Sequence, residues 1–330
     1  MSSVIFLFLG LGSIGQRHLT NVYALGEHEI ISYRRRGLVL PEEVSSRITA
    51  NVSSLEEGIA QRPDAAFVCG PTSHHLSDAL TLAEAHVNVF IEKPVSHTLD
   101  GVDRLLDLNN RNQLTSMVGY NLRFHEPLRV IYDLVKGGEI GRVLGANASV
   151  GQYLPSWHPT EDYREGYSAL IGLGGGVVMD LSHEIDYMLW ICGPATHVFG
   201  VTGRVGGLEI ETEDTADIIL QLEAGHSATI HLDYLQSPAA RELKIYGTGG
   251  AVSWDGMSDS VVKVDAAGNS EILWDHKTER NESFMAEVDH YLKCLVNGDT
   301  PTSSLEDGLQ TLKVIDGVRR SAASGQVISI

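Results

Sequence analysis

The stretch Val4-Ile5-Phe6-Leu7-Phe8-Leu9-Gly10-Leu11-Gly12-Ser13-Ile14-Gly15 decides the fold. Its apolar run, residues 4–9, fits a parallel strand buried on both faces. A G-x-G-x-x-G loop follows without a gap, and a helical pattern carrying Leu19, Val22 and Tyr23 then runs to Gly26. Each glycine has a physical task. One permits the tight turn, one lets the backbone approach a pyrophosphate, and one lets helix and strand pack closely. The helix N-terminus adds N–H groups and partial positive charge. The arrangement predicts the opening of a dinucleotide-binding fold; an ordinary glycine-rich turn is the plainer alternative. The apolar run lacks the basic flank and small-residue cleavage site of a secretory leader.

Working outward, residues 29–33, 65–69, 87–91 and 114–118 read as further strands. Helices open at Ser53 or Ser54, at Ser73 and at Leu99. Strand–helix alternation with short loops predicts a parallel sheet covered on both faces. After Gly119-Tyr120 the rhythm changes. Residues 125–136 form a helix closed by Gly137-Gly138, residues 143–150 a strand, and residues 179–190 a helix ended by Gly193-Pro194. Residues 215–222 and 227–234 read as an antiparallel pair around Glu223-Ala224-Gly225. Strands at 243–246, 251–254 and 261–264 and helices at 285–296 and 305–321 complete the chain. The expected organisation is an α/β Rossmann domain over 1–120 and an α+β domain over 121–330. The second carries an antiparallel or mixed sheet, and its last helix is a candidate to pack back on the first.

Composition narrows the function classes. The chain has 330 residues, with 24 Lys and Arg against 43 Asp and Glu, a formal charge of −19. Such a balance disfavours nucleic acid and anionic membranes as partners. Cys69, Cys192 and Cys294 are scattered. They form neither a disulfide framework nor a metal-ligand spacing, and they suit a reducing cytoplasm. No metal site is expected. No apolar run reaches the ~18 residues of a membrane span.

The end of the second strand bears on the nucleotide. A carboxylate about 20 residues after the loop would bind the ribose diol of NAD. The chain instead reads Tyr33-Arg34-Arg35-Arg36. Guanidinium groups bind a 2′-phosphate, often bidentately, so NADP(H) is predicted over NAD(H), with Arg34 and Arg35 better placed than Arg36. A solvated basic loop is the alternative.

Five segments together resemble the family of glucose–fructose oxidoreductase, inositol dehydrogenase and the rhizopine-catabolism oxidoreductase (Gfo/Idh/MocA). They are the glycine loop with Gln16-Arg17-His18 behind it, Cys69-Gly70-Pro71-Thr72 with His74-His75, and Glu92-Lys93-Pro94. Gly119-Tyr120-Asn121-Leu122-Arg123-Phe124 and Gly174-Gly175-Gly176 leading into Asp180 and His183 complete the set. Their order and spacing cover nearly the whole chain. The resemblance implies a Rossmann domain followed by a domain with a large open sheet that often mediates oligomerisation, here a homodimer or homotetramer. It also implies nicotinamide-dependent oxidation or reduction of a sugar, cyclitol or related small molecule. By motif position, Gly10, Gly12, Ser13, Ile14 and Gly15 should hold the pyrophosphate, and Pro71, Thr72 and His75 should line the cofactor groove. Glu92, Lys93 and Asn121 should lie near the nicotinamide and its ribose.

Lys93 is the first acid–base candidate. It ends a parallel strand, where open α/β sheets place ligands, and an ammonium there can give or take the proton of a reacting hydroxyl. Pro94 fixes the chain beyond it, with a cis bond as one option. Asp180 and His183 are three residues apart in a predicted helix and so share a face. His183 suits proton transfer near neutrality, and Asp180 suits substrate binding or orientation of the imidazole. The resembled family spaces this pair four apart. Either the pair persists with altered geometry, or only one member reaches the substrate.

Arg123 and the loop segment holding Trp157-His158-Pro159 and Asp162-Tyr163-Arg164 are the substrate-binding candidates. Trp157, Tyr163 and Arg164 would suit an acidic or phosphorylated sugar, with a packing or dimer loop as the alternative. The function expected is an NADP(H)-preferring oxidoreductase acting on a sugar, cyclitol or sugar-acid alcohol or carbonyl, with NAD also possible. A dinucleotide-binding sensor without turnover and a dihydrodiol or imine dehydrogenase are the competing readings.

Overall fold

The computed structural model describes residues 4–35, 37, 39–157 and 161–330. The chain folds into two compact units, Met1–Asn121 with Asn281–Leu309, and Leu122–Arg280 with Gln310–Ile330.

The first unit is built on a six-stranded parallel sheet. Its strands are β1 (Ile5–Leu9), β2 (Glu29–Tyr33), β3 (Ala50–Val52), β4 (Ala65–Val68), β5 (Asn88–Glu92) and β6 (Met117–Gly119), in the order β3-β2-β1-β4-β5-β6. Helices α1 (Ser13–Leu25), α2 (Glu42–Ser45), α3 (Leu55–Ala60), α4 (Thr72–Glu84) and α5 (Val102–Arg111) connect them. Phe6, Leu7, Phe8, Phe67 and Phe90 have no exposed surface, as strands covered on both faces require. The strand order reverses at β1, so the crevice beyond β1 and β4 is where such sheets bind ligands. Two details differ from the sequence reading. Strand β3 has no counterpart in it; this is a three-residue edge strand without a buried residue, so it leaves no apolar signature. The last strand starts at Met117 rather than at residue 114.

The second unit carries a nine-stranded sheet. Helix α6 (Glu126–Lys136) leads to β7 (Val143–Gly151), and α7 (Val177–Asp180) and α8 (His183–Cys192) precede the rest. These are β8 (Ala195–Gly203), β9 (Thr215–Leu222), β10 (Ser227–Asp233), β11 (Ala240–Gly247), β12 (Gly250–Asp255), β13 (Ser260–Asp265) and β14 (Ser270–Trp274). Helices α9 (Glu282–Asn297) and α10 (Leu305–Ser324) and strand β15 (Ile328–Ser329) end the chain. The order is β14-β13-β12-β11-β7-β10-β9-β8-β15, and only β7 with β10 runs parallel. Strand β9 alternates between buried and exposed residues along most of its length, which marks one packed face and one open face. The α/β-plus-open-sheet architecture is the one the sequence implies.

The sequence reading places 121–330 in one domain and offers only its last helix to the first, whereas most of α10 stays in the second unit. The fold instead returns Asn281–Leu309 to the first unit. There Tyr291 is fully buried edge-on against Phe67 and Phe90, at 5.8 and 5.5 Å, and the Val118 N–H donates to Ser303 O. The predicted helix over 179–190 is also interrupted. Helix α7 ends at Asp180, Leu181 and Ser182 form a turn, and α8 starts at His183.

Candidate functional site

In the first unit the glycine loop leaves β1 and enters α1. Gly10 takes φ +91°, and a Cβ there would stand 3.1 Å from Gly70 N. A Cβ on Gly15 would stand 2.2 Å from Gly10 O, so only glycine lets the helix start this close to the loop. A Cβ on Gly12, by contrast, would meet nothing within 4 Å. Gly12 is the N-cap of α1, no side chain caps it, and no acid lies in the first turn at Ser13 and Ile14. The result is an uncapped 13-residue helix N-terminus beside open space, a fit for a pyrophosphate.

Across the crevice, Pro71 is the N-cap of α4 and Thr72 its first residue, buried like His75 one turn later. The two ring nitrogens of His75 lie 2.9 Å from Pro94 O and 2.8 Å from Gly70 O. His75 thus ties the end of β4 to the segment after β5. Burial pushes its pKa below the ordinary value, outweighing the two carbonyls. A neutral imidazole can donate to only one of them.

Lys93 follows β5 directly, half-buried, and the Lys93–Pro94 bond is cis. Its neighbour Glu92 is the fixed point of this corner. One carboxylate oxygen lies 2.5 Å from His18 Nε2 and the other accepts the Lys93 N–H at 3.2 Å. His18 is fully buried among the rings of Phe67, Phe90 and Phe284, 4.9–6.0 Å away. Among the described residues nothing hydrogen-bonds its Nδ1. A carboxylate only accepts hydrogen bonds, so Nε2 is the donor in its contact with Glu92. Gly119 completes the fit: a Cβ there would press on the Glu92 carboxylate at 3.2 Å. Asn121 is buried and donates to Ser283 Oγ at 2.8 Å.

Beyond β2, Arg34 is half-buried and Arg35 exposed, while Arg36 lies outside the described residues. Both Nη atoms of Arg35 donate to the carboxylate of Asp78 on α4, at 2.9 and 2.6 Å.

In the second unit the site is built around Asp180. Gly174 and Gly176 take φ +83° and +115°. A Cβ on Gly175 would stand 2.1 Å from Tyr167 O, and one on Gly176 would stand 2.4 Å from Glu213 Oε1. The triple glycine therefore lets the chain pass beneath Tyr167 and Glu213 and deliver Asp180 to a hydroxyl cluster. Tyr167 Oη, Ser168 Oγ (2.6 Å) and Tyr234 Oη (3.1 Å) all donate to its carboxylate, which is only 6% exposed. Burial, with the adjacent Asp180 charge, pushes the Tyr234 pKa up, so its hydroxyl stays a donor. His183 is half-buried at the first position of α8, past the turn that separates it from Asp180. Tyr167 and Tyr234 are absent from the sequence-based candidates.

The remaining substrate candidates have other commitments. Trp157 packs edge-on against Tyr234, 5.5 Å between centroids, and donates to Gln152 O. His158 and Pro159 lie outside the described residues. The Tyr163 hydroxyl accepts the Glu209 N–H at 3.3 Å. Arg164 donates to Asp162 and to Glu209, and its hydrogen bonds hold Asp162 down at about 2. Arg123, expected at the substrate, is instead 3% exposed and donates through Nε and Nη2 to Asp186 at 2.9 and 2.7 Å. A buried guanidinium needs such a counter-charge, and this pair is a core element rather than an anion site.

Comparison with known proteins follows this division. Residues 4–120 match the oxidoreductase family with an NAD-binding Rossmann fold, and residues 128–253 match the GFO/IDH/MocA C-terminal domain. The chain is 25% identical to the myo-inositol 2-dehydrogenase of Thermotoga maritima, over 92% of each protein. It is 21% identical to the D-xylose 1-dehydrogenase (NADP(+)) 2 of Haloferax volcanii, over 99% of this chain and 100% of that one. Levoglucosan dehydrogenase in complex with NADH superposes with a TM-score of 0.89 at 17% identity, covering 100% of this chain and 99% of that one. Among the described residues no helix is long and apolar enough to cross a membrane.

Proposed function

The chain belongs to the GFO/IDH/MocA family of oxidoreductases, and on that premise we propose that it interconverts a hydroxyl and a carbonyl on an uncharged sugar or cyclitol, with NADP(H) preferred. The glycine loop and the uncapped N-terminus of α1 would hold the pyrophosphate; Arg34 and Arg35 would face the 2′-phosphate. Pro71, Thr72, His75 and Asn121 would line the groove. A bound nicotinamide would supply the hydride chemistry at the carbinol carbon. Lys93, with its backbone fixed by Glu92, holds or moves the hydroxyl proton, and His183 is the second group able to do so. Asp180, clamped by three hydroxyls, offers a fixed carboxylate to a substrate hydroxyl.

The observation that carries the substrate class is the state of the arginines. Arg123 is buried against Asp186, and Arg164 spends Nε, Nη1 and Nη2 on Asp162 and Glu209, so neither presents a guanidinium edge to an anionic substrate. A neutral polyol needs no such edge, whereas bidentate recognition of a carboxylate or phosphate does. The acidic or phosphorylated sugar suggested by Trp157, Tyr163 and Arg164 is the competing reading. Turnover on neutral sugars and cyclitols, followed at 340 nm, with none on the matching sugar acids and sugar phosphates, is the test. For assembly, the open face of the nine-stranded sheet is the surface proposed for a homodimer or homotetramer. Its groove of about 790 Å³ is lined by apolar Phe199, Val201 and Ile219 beside Lys244 and Asp217, a self-complementary mixture that light scattering can check.

A further inference from the structure

We infer that Asp78 is a specificity-determining residue, which holds the Arg35 guanidinium by one edge so that its other edge meets the 2′-phosphate of the nucleotide. The inference rests on the NADP reading above. Asp78 stands one helical turn beyond His75 on the same face of α4, and its side chain is 4% exposed. It receives both Nη atoms of Arg35, at 2.9 and 2.6 Å. A buried carboxylate is costly without its counter-charge, so the two groups lock each other. The Arg35 guanidinium also lies over the Tyr33 ring, 5.2 Å from its centroid, a second contact that restrains it. Two of the five guanidinium N–H groups serve Asp78; the other three, including Nε–H, remain for an acceptor. The side chain is 38% exposed, so an acceptor can reach them. An arginine on an exposed loop normally loses its rotamer freedom on binding a phosphate. Here that ordering is already complete. The carboxylate cancels part of the charge, but the aligned fork depends on Asp78.

The test is nucleotide binding by calorimetry, with 2′,5′-ADP and 5′-AMP as probes. Wild-type protein should prefer 2′,5′-ADP by about tenfold or more. Asp78→Asn should lower that preference by about fivefold or more while leaving 5′-AMP affinity within about twofold, because only the 2′-phosphate contact is loosened. Arg35→Lys keeps the charge but cannot form the fork, and should lose the preference too; it serves if Asp78→Asn does not fold. An unchanged or increased preference in Asp78→Asn overturns the inference, the latter making Asp78 a competitor of the phosphate. So does a preference retained in Arg35→Lys. Equal affinity of the wild type for both probes overturns the NADP reading itself, and the inference with it.

Discussion

Replacing His18 with Phe tests the corner that positions Lys93. The imidazole sits in an aromatic cage formed by Phe67, Phe90 and Phe284, so a phenyl ring is tolerated in kind and the main loss is the donor to Glu92. Glu92 is 8% exposed and would keep only the Lys93 N–H at 3.2 Å. A hydrogen bond to a charged group contributes ~1.5–3 kcal/mol. About 2 kcal/mol corresponds to a fall in Tm of about 4–8 °C for a unit of this size. Glu92→Leu alone removes the anion and leaves the His18 N–H unpaired, so it also destabilises. In the double variant both partners are apolar, and the loss should fall short of the summed single losses by about 1–2 kcal/mol, since removing both partners spares the unsatisfied group. Urea unfolding of the four proteins measures this cycle. Additivity within about 0.5 kcal/mol would refute the reasoning, because it would mean that the two side chains do not depend on each other.

Three further outcomes follow from the same geometry. Lys93→Ala should lower kcat by about 10²–10⁴ with NADPH affinity, read by fluorescence titration, little changed; equal losses in both would remove Lys93 from proton transfer. Tyr234→Phe deletes one of the hydroxyls on Asp180 and should cost about 1 kcal/mol in stability and raise KM for the sugar, whereas no change in either would show that the hydroxyl cluster does not hold the carboxylate. Burial lowers the His75 pKa, so the unfolded chain binds more protons than the folded one between that lowered value and the ordinary 6.5. His75 therefore costs stability as pH falls below 6.5, and the slope of unfolding free energy against pH in that window should be shallower in His75→Asn; a steeper slope would contradict the sign.

Local chemistry makes the first unit readable. Residues 5–15 state a buried strand, a turn that needs glycine and a helix start in one uninterrupted segment, and each requirement recurs in the surroundings of Gly10 and Gly15. Ser54 likewise accepts the Glu57 N–H as the N-cap that its position before Leu55 suggests. What cannot be read locally are the partners. Arg35 meets Asp78, Arg123 meets Asp186 and Arg164 meets Glu209 across 43, 63 and 45 residues, so a sequence shows three arginines but not the carboxylate each one meets. The hydroxyls on Asp180 come from Tyr167 and Ser168 in a single 3-10 turn and from Tyr234 just past β10, with no shared spacing to betray them. Helical periodicity carries straight through Leu181 and Ser182 because apolar residues flank that turn on both sides. The return of Asn281–Leu309 to the first unit is equally silent, since an amphipathic helix does not specify which core it covers.

The most direct measurement of the central claim is the absorbance change at 340 nm with purified protein, NADP⁺ or NAD⁺, and paired substrates that differ only in charge, such as a neutral hexose or cyclitol against its acid and its phosphate. Turnover is expected on the neutral member, faster with NADP⁺ at subsaturating concentration. Turnover confined to the charged members would contradict the argument built on the committed guanidinium groups of Arg123 and Arg164, and absence of turnover from protein that binds NADPH would contradict the assignment of an enzyme.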